Sequence, residues 1–318
     1  MGNVYVVGTA DTKADELHYV DGLIRAAGAS TTMVDVGTQG SDESMDVSPS
    51  EVAQHHPDGA DAVKSDDRGT AVDEMSKALV QFILSRDDVG GIIGLGGSGG
   101  TALVTPAMRA LPVGVPKVMV STVASGNVQP YVGPADIAMM YSVTDVAGIN
   151  RISRQVLGNA ANAVAGMAAH DVPQAADDKP AVGLSMFGVT TPLVTRLAAD
   201  LEATYDPLVF HATGTGGRSM EKLVGSGMIG AVMDMTTTEI ADLLVGGVFA
   251  ALDERIDVIA ETKVPYVGSV GACDMVNFGA KETVPPQFAD RTLHVHNSEV
   301  TLMPVSYTHL TLPTTPYV

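Results

Sequence analysis

The sequence predicts an α/β protein of two Rossmann-like lobes, each a mostly parallel sheet flanked by helices. Three observations carry that expectation. Short apolar runs alternate with helical patterns along nearly the whole chain, the signature of parallel strands joined by crossover helices. At 318 residues the chain exceeds what one core usually organises. Residues 4–12 (VYVVGTADT) are echoed by 182–190 (VGLSMFGVT), 34–38 by 211–215, and 117–127 by 265–277, in the same order, as expected of two lobes with similar folds.

Taken in order, the first lobe spans residues 1–172. Its strands are expected at 4–7, 32–36, 91–95 and 118–121, each a short β-branched run ending at glycine, serine or threonine. Helical spacing is expected at 13–27, 69–85, 101–111 and 149–169, with Pro106 a weak point in the third. Residues 173–180 lie in a polar stretch, DVPQAADDKP at 171–180, that carries two prolines and reads as a linker. The second lobe, 181–305, places strands at 182–186, 207–211, 230–234 and 266–270, and helices at 192–205, 219–226 and 239–250. The final stretch 306–318, SYTHLTLPTTPYV, abandons the acidic, alanine-rich character before it and reads as a non-native tail, the natural chain continuing differently after Met303.

Composition narrows the partners. Eighteen Lys and Arg face 37 Asp and Glu, for a formal charge of -19, a field that repels phosphate backbones and argues against nucleic acid. No run of about 18 apolar residues is present to span a bilayer. The single cysteine, Cys273, excludes an internal disulfide framework and any C-x-x-C motif, so a reducing, cytoplasmic setting is expected.

The stretch Gly90–Thr101, GGIIGLGGSGGT, is an apolar run that empties into glycines before a helical pattern. Glycines admit an oxyanion close to the backbone, and the free amides of the following helix start point at its charge. Gly94, Gly96 and Gly99 satisfy G-x-G-x-x-G, but no acidic residue follows near Met119–Thr122 to hold a ribose, and no lysine completes a Walker-type loop. Phosphate or carboxylate binding is the expectation; close strand–helix packing is the alternative.

Strand ends of a doubly wound lobe converge on one rim. There Lys13 and Arg68 offer cations for phosphate, and Asp11 a carboxylate for Mg²⁺. Thr38, the cradle Gly96, Gly97, Ser98 and Gly99, and the loop Thr122, Val123, Ala124, Ser125 and Gly126 complete the set. In the second lobe Arg218 and the run Thr236, Thr237 and Thr238 suit a small anionic substrate. Glu239, His211 and Asp274 are the candidate proton handlers. No H-E-x-x-H metal motif and no G-x-S-x-G elbow is present.

Eight motifs in order, VVGTADTKADEL, DRGTAVDEMSKAL, GIIGLGGSGGTAL, GVPKVMVSTVASGN, MFGVTTP, VFHATGTGGRSMEKL, DMTTTEIAD and GACDMVNFG, resemble the family of the plant tomato mosaic virus resistance protein and its bacterial relatives. The resemblance runs from Val4 to about Met303. It implies two Rossmann-like lobes, a Mg-ATP site in the first, and a homodimer. By motif that site falls on Lys13, Asp11, Thr38, Arg68, the GGSG at 96–99 and the TVASG at 122–126. Two functions follow as expectations: an ATP-dependent enzyme acting on a small metabolite, or a nucleotide-gated regulatory, protein-binding module without turnover.

Overall fold

The computed structural model describes residues 2–38, 40, 42–173 and 178–305. The chain divides into two compact units, Met1–Pro173 and Gln174–Val318. The proposed tail at 306–318 and the middle of the proposed linker, 174–177, lie outside the described residues.

The first unit runs β1 (Asn3–Gly8), α1 (Ala10–Ala26), β2 (Thr31–Asp35), α2 (Pro49–Ala53), α3 (Arg68–Leu84), β3 (Val89–Gly96), α4 (Ser98–Ala110), β4 (Lys117–Ser121), α5 (Gln129–Val132), β5 (Ala138–Tyr141) and α6 (Arg151–Ala169). Its five strands pair in the order β2-β1-β3-β4-β5, all parallel. Alternation along β1 explains the layering, since successive side chains leave opposite faces of a strand. Val4 and Val6 join Leu17, Val20 and Ile24 of α1 and the small face of α6. Tyr5 and Val7 join α3 and α4 on the other side, against Met75, Leu79, Leu103 and Met108. Two of the long helices start where the sequence provides a cap: Asp67 accepts from Thr70 N ahead of α3, and Asn150 accepts from the Ile152 and Ser153 amides ahead of α6.

The second unit runs β6 (Ala181–Met186), α7 (Thr191–Leu201), β7 (Asp206–His211), α8 (Thr215–Gly225), β8 (Ala231–Thr236), α9 (Thr238–Val245), α10 (Asp257–Thr262), β9 (Tyr266–Gly271), β10 (Met275–Phe278), β11 (His294–Val295) and β12 (Thr301–Pro304). Its main sheet, β7-β6-β8-β9, is parallel and repeats the order β2-β1-β3-β4. The sequence echoes therefore fall on equivalent strands: β6 on β1, β7 on β2, β9 on β4.

Several elements depart from expectation. Pro106 stays inside α4, which continues to Ala110. The helix expected at 239–250 stops at Val245, because Gly246 takes a left-handed conformation (φ 82°) that ends it. Strand β5 has no alternating apolar pattern and was not anticipated. Nor was the antiparallel sheet β10-β12-β11, built from short strands separated by irregular chain.

Candidate functional site

In the first unit, α1 and α4 leave the neighbouring strands β1 and β3 toward opposite faces of the sheet. A strand order of 2-1-3-4-5 makes this the topological switch point, where a crevice opens beyond the carboxyl ends of the strands. The glycine cradle stands there. Gly97 is the N-cap of α4, and no side chain caps the helix, so the amides of Ser98, Gly99 and Gly100 have no acceptor within the helix. Ser98 and Gly99 are exposed. Gly96 permits the turn: a Cβ there would meet Gly100 Cα at 2.9 Å.

The loop 122–126 stands beside this turn. A Cβ on Gly97 would lie 3.6 Å from Thr122 Oγ1. Two residues the sequence reading passed over fix the pair of loops, through a chain of hydroxyls that is wholly buried. Val123 N donates to Ser121 Oγ at 3.2 Å, and Ser121 Oγ lies 2.6 Å from Thr101 Oγ1. Thr101 Oγ1 in turn donates to Gly97 O at 2.7 Å. Their only sequence signal is position, a hydroxyl one turn into the helix and another on the last residue of a strand.

The remaining predicted residues of this lobe divide. Asp11 stands on the first turn of α1 against the loop after β2, where a Cβ on Gly37 would lie 3.2 Å from Asp11 Cγ. Lys13 is half-buried and its ammonium donates to Val146 O at 2.6 Å, which ties it to the chain after β5. Arg68 is exposed as the first residue of α3. Thr38 lines a cleft of about 770 Å³ at the carboxyl end of β2, walled by Gly37, Pro49, Gln54, Ala60, Val63 and Met75. It is the only predicted site residue among those lining the cleft. Asp35, also unanticipated, is fully buried and accepts from the amides of Ala10 (2.9 Å), Gly37 (2.8 Å) and Asp42 (3.3 Å). Burial raises its pKa against the pull of those amides. Its carboxylate thus clamps the loops after β1 and β2 together.

In the second unit most of the side chains named from the sequence are engaged within the protein. Thr236–Glu239 runs from the end of β8, the equivalent of β3, into α9, and all four residues are buried. Thr236 Oγ1 donates to Ser185 O at 3.0 Å, Thr237 Oγ1 to Ser269 O at 2.9 Å, and Thr238 Oγ1 accepts from Asn277 Nδ2 at 3.2 Å. None of these hydroxyls is directed at an outside anion. Glu239, expected to handle protons, is fully buried, and its Oε1 accepts from Gly214 N at 2.6 Å and Gly217 N at 3.1 Å. The glycine turn before α8 therefore holds the protein's own carboxylate. Burial pushes the Glu239 pKa up, opposed by those amides and by Arg255, whose Nε is 3.5 Å from Oε2. Arg255 also pairs with Glu221 and Asp234, each at 2.8 Å. Arg218 donates back to Gly214 O at 3.0 Å. His211 and Asp274 remain exposed, His211 with its ring 5.3 Å from that of Phe187, and the two are not brought together by any hydrogen bond.

Among the described residues, no helix is long and apolar enough to cross a membrane, and no group of three or more His, Cys, Asp or Glu is placed to hold a metal ion.

Comparison with known proteins matches both units. The Uncharacterised protein family (UPF0261) N-terminal domain matches residues 2–173, and the C-terminal domain of the same family matches 179–311. The chain is 56% identical over 307 residues to the UPF0261 protein mlr3387 of Mesorhizobium japonicum, covering 96% of this chain and 77% of that one. It is 46% identical over 306 residues to a UPF0261 protein of Clostridium tetani, covering 94% and 76%. It is also 45% identical over 326 residues to the ToMV resistance protein Tm-1(GCR237) of Solanum lycopersicum, covering 94% of this chain and 43% of that one. Two domain matches in sequence order, on two units with the same strand order, establish that the chain belongs to the UPF0261 family.

Proposed function

We propose that the chain binds a magnesium nucleotide, ATP in the first instance, with its phosphates on the opening turn of α4. One observation carries this: the glycine turn at the β1/β3 switch point, where Ser98 and Gly99 are exposed and, among the described residues, no side chain caps the helix. Arg68 supplies a bidentate cation at the rim and Lys13 a point charge. With no cluster of three ligands among the described residues, Mg²⁺ would rest chiefly on phosphate oxygens and water, with Asp11 as the protein carboxylate.

A purely regulatory reading, in which nucleotide binding sets the shape of a surface for a partner protein, gains on the enzyme reading. The second-lobe groups offered for acid–base work and anion binding are engaged internally. Two of the relatives also carry names that mark them as resistance and susceptible proteins. In that reading the chain works as a homodimer without turnover; in the other, a small anionic metabolite reacts with bound ATP.

Calorimetric titration with Mg-ATP tests the site. Arg68→Ala and Gly97→Val are each expected to weaken binding by about tenfold or more, from a lost charge-assisted contact of about 1.5–3 kcal/mol or from steric exclusion. Unchanged affinity in both variants removes the site from α4. Binding without phosphate release supports the regulatory reading, and steady release the enzyme.

A further inference from the structure

The loops at the carboxyl ends of the second sheet have a composition unlike the rest of the chain. Residues 187–191 (FGVTT) follow β6, 211–218 (HATGTGGR) end β7 and open α8, 246–251 (GGVFAA) follow α9, and 269–274 (SVGACD) end β9. In a chain with 37 Asp and Glu these four stretches hold one, Asp274, against Arg218 and His211. The loops also adjoin. The Phe187 ring lies 5.3 Å from that of His211 and 5.9 Å from that of Phe249. A Cβ on Gly214 would lie 2.9 Å from Ala250 O, and one on Gly271 would lie 2.9 Å from Thr190 Cγ2. Val189, Val248 and Val270 on these loops are exposed at 72%, 50% and 82%. Single exposed valines are ordinary; several on adjoining loops around a ring cluster form an apolar patch, and such patches mark binding surfaces.

Arg218 supplies the polar end. Its Nε donates to Gly214 O at 3.0 Å, which folds the side chain back toward the start of α8, and among the described residues its Nη1 and Nη2 have no partner. Tethered at one nitrogen, the guanidinium keeps a pair of donors able to grip a carboxylate through two parallel bonds. We infer that this rim binds a small carboxylic acid with a flat apolar body, its carboxylate on Arg218 and its body against Phe187, Phe249 and His211. Aromatic rings favour edge and offset contact with a flat partner, and the scarcity of acids on these loops lets one guanidinium attract a small anion to an otherwise acidic protein. The contacts belong to the second unit and involve no nucleotide. In the enzyme reading above, this acid is the small anionic metabolite.

Benzoate is the probe, with acetate carrying the charge without the ring and benzyl alcohol the ring without the charge. Nuclear magnetic resonance titration of the full chain, at constant pH and without nucleotide, follows the His211 ring signals, identified by their loss in His211→Gln. Benzoate is expected to shift them saturably with a Kd of about 10 mM or tighter, as suits a ligand of its size, and about tenfold more tightly than either control. Arg218→Gln is expected to weaken benzoate about tenfold. Val189→Asp changes an exposed side chain, leaves the core intact and is expected to weaken benzoate severalfold by placing an acid on the rim. Signal dispersion equal to that of wild type checks that both variants are folded. The absence of a saturable shift overturns the inference. Acetate binding as tightly as benzoate reduces the site to an anion on Arg218, and benzyl alcohol doing so reduces it to an apolar patch; either result overturns it. Benzoate affinity unchanged in both variants places the ligand elsewhere and overturns it as well. Binding of Mg-ATP at α4 is decided separately by calorimetry and is untouched by any of these results.

Discussion

Glu239 takes two backbone amides with one oxygen and faces Arg255 with the other, so its side chain builds the turn before α8. Removing it leaves those amides without an acceptor and takes a charge partner from a buried guanidinium, and Glu239→Ala is expected to lower stability by about 2–4 kcal/mol. The pH dependence has a definite sign. Burial raises the folded pKa above the ordinary 4.5, so the folded state binds this proton more tightly than the unfolded one. The stability Glu239 contributes is then fully present below pH 4.5 and declines as pH rises through the elevated folded value. Urea denaturation of wild type and Glu239→Ala across pH 4–8 should show the gap narrowing as pH rises; a gap that widens refutes the assignment. The sequence shows an acid where a strand passes into a helix, which is where chemistry is sought. It does not show that the opposing glycines, Gly214 and Gly217 at the start of α8, turn their amides inward. Chemical type was legible at this position, and burial was not.

At the scale of elements, β3 and α4 are the part of the site most plainly written in the chain. Apolar residues at strand spacing, then glycines, then helical periodicity place the turn without any tertiary information. Two of its glycines have opposite roles. A Cβ on Gly96 would strike the Gly100 backbone, whereas one on Gly99 would meet nothing within 4 Å. Gly96→Ala is expected to destabilise by about 1–3 kcal/mol. Gly99→Ala is expected to stabilise by about 0.5–1 kcal/mol, because alanine favours a helix that glycine does not. Thermal unfolding of the two variants checks both, and equal shifts would show that the turn is not packed as described. The cleft was invisible for the opposite reason. Its walls come from α2, the short turn at Ala60–Val63 and the chain after β2, segments with no shared period. Thr101 and Ser121 were overlooked because an isolated hydroxyl has no sequence signature until a partner is brought near.

For the molecule as a whole, the sequence echoes anticipated two sheets of one topology but not the divergence of their sites. The first unit leaves the turn after β3 open, whereas the second engages the threonines of the equivalent turn internally and fills the turn before α8 with Glu239. Since the proposed nucleotide site lies wholly in the first unit, which has an apolar core on each face of its sheet, a chain of residues 1–173 is expected to unfold in one cooperative urea transition and to retain Mg-ATP binding. A folded fragment that fails to bind would show that the second unit supplies a ligand contact. The placement of β1 has a further consequence during synthesis. Strand β1 is interior to its sheet, and one of its two neighbours, β3, ends only at Gly96. Until β3 has been made, VYVV has an unpaired edge, a state open to aggregation and suited to capture by a chaperone. Slow translation between β1 and β3 would prolong that exposure.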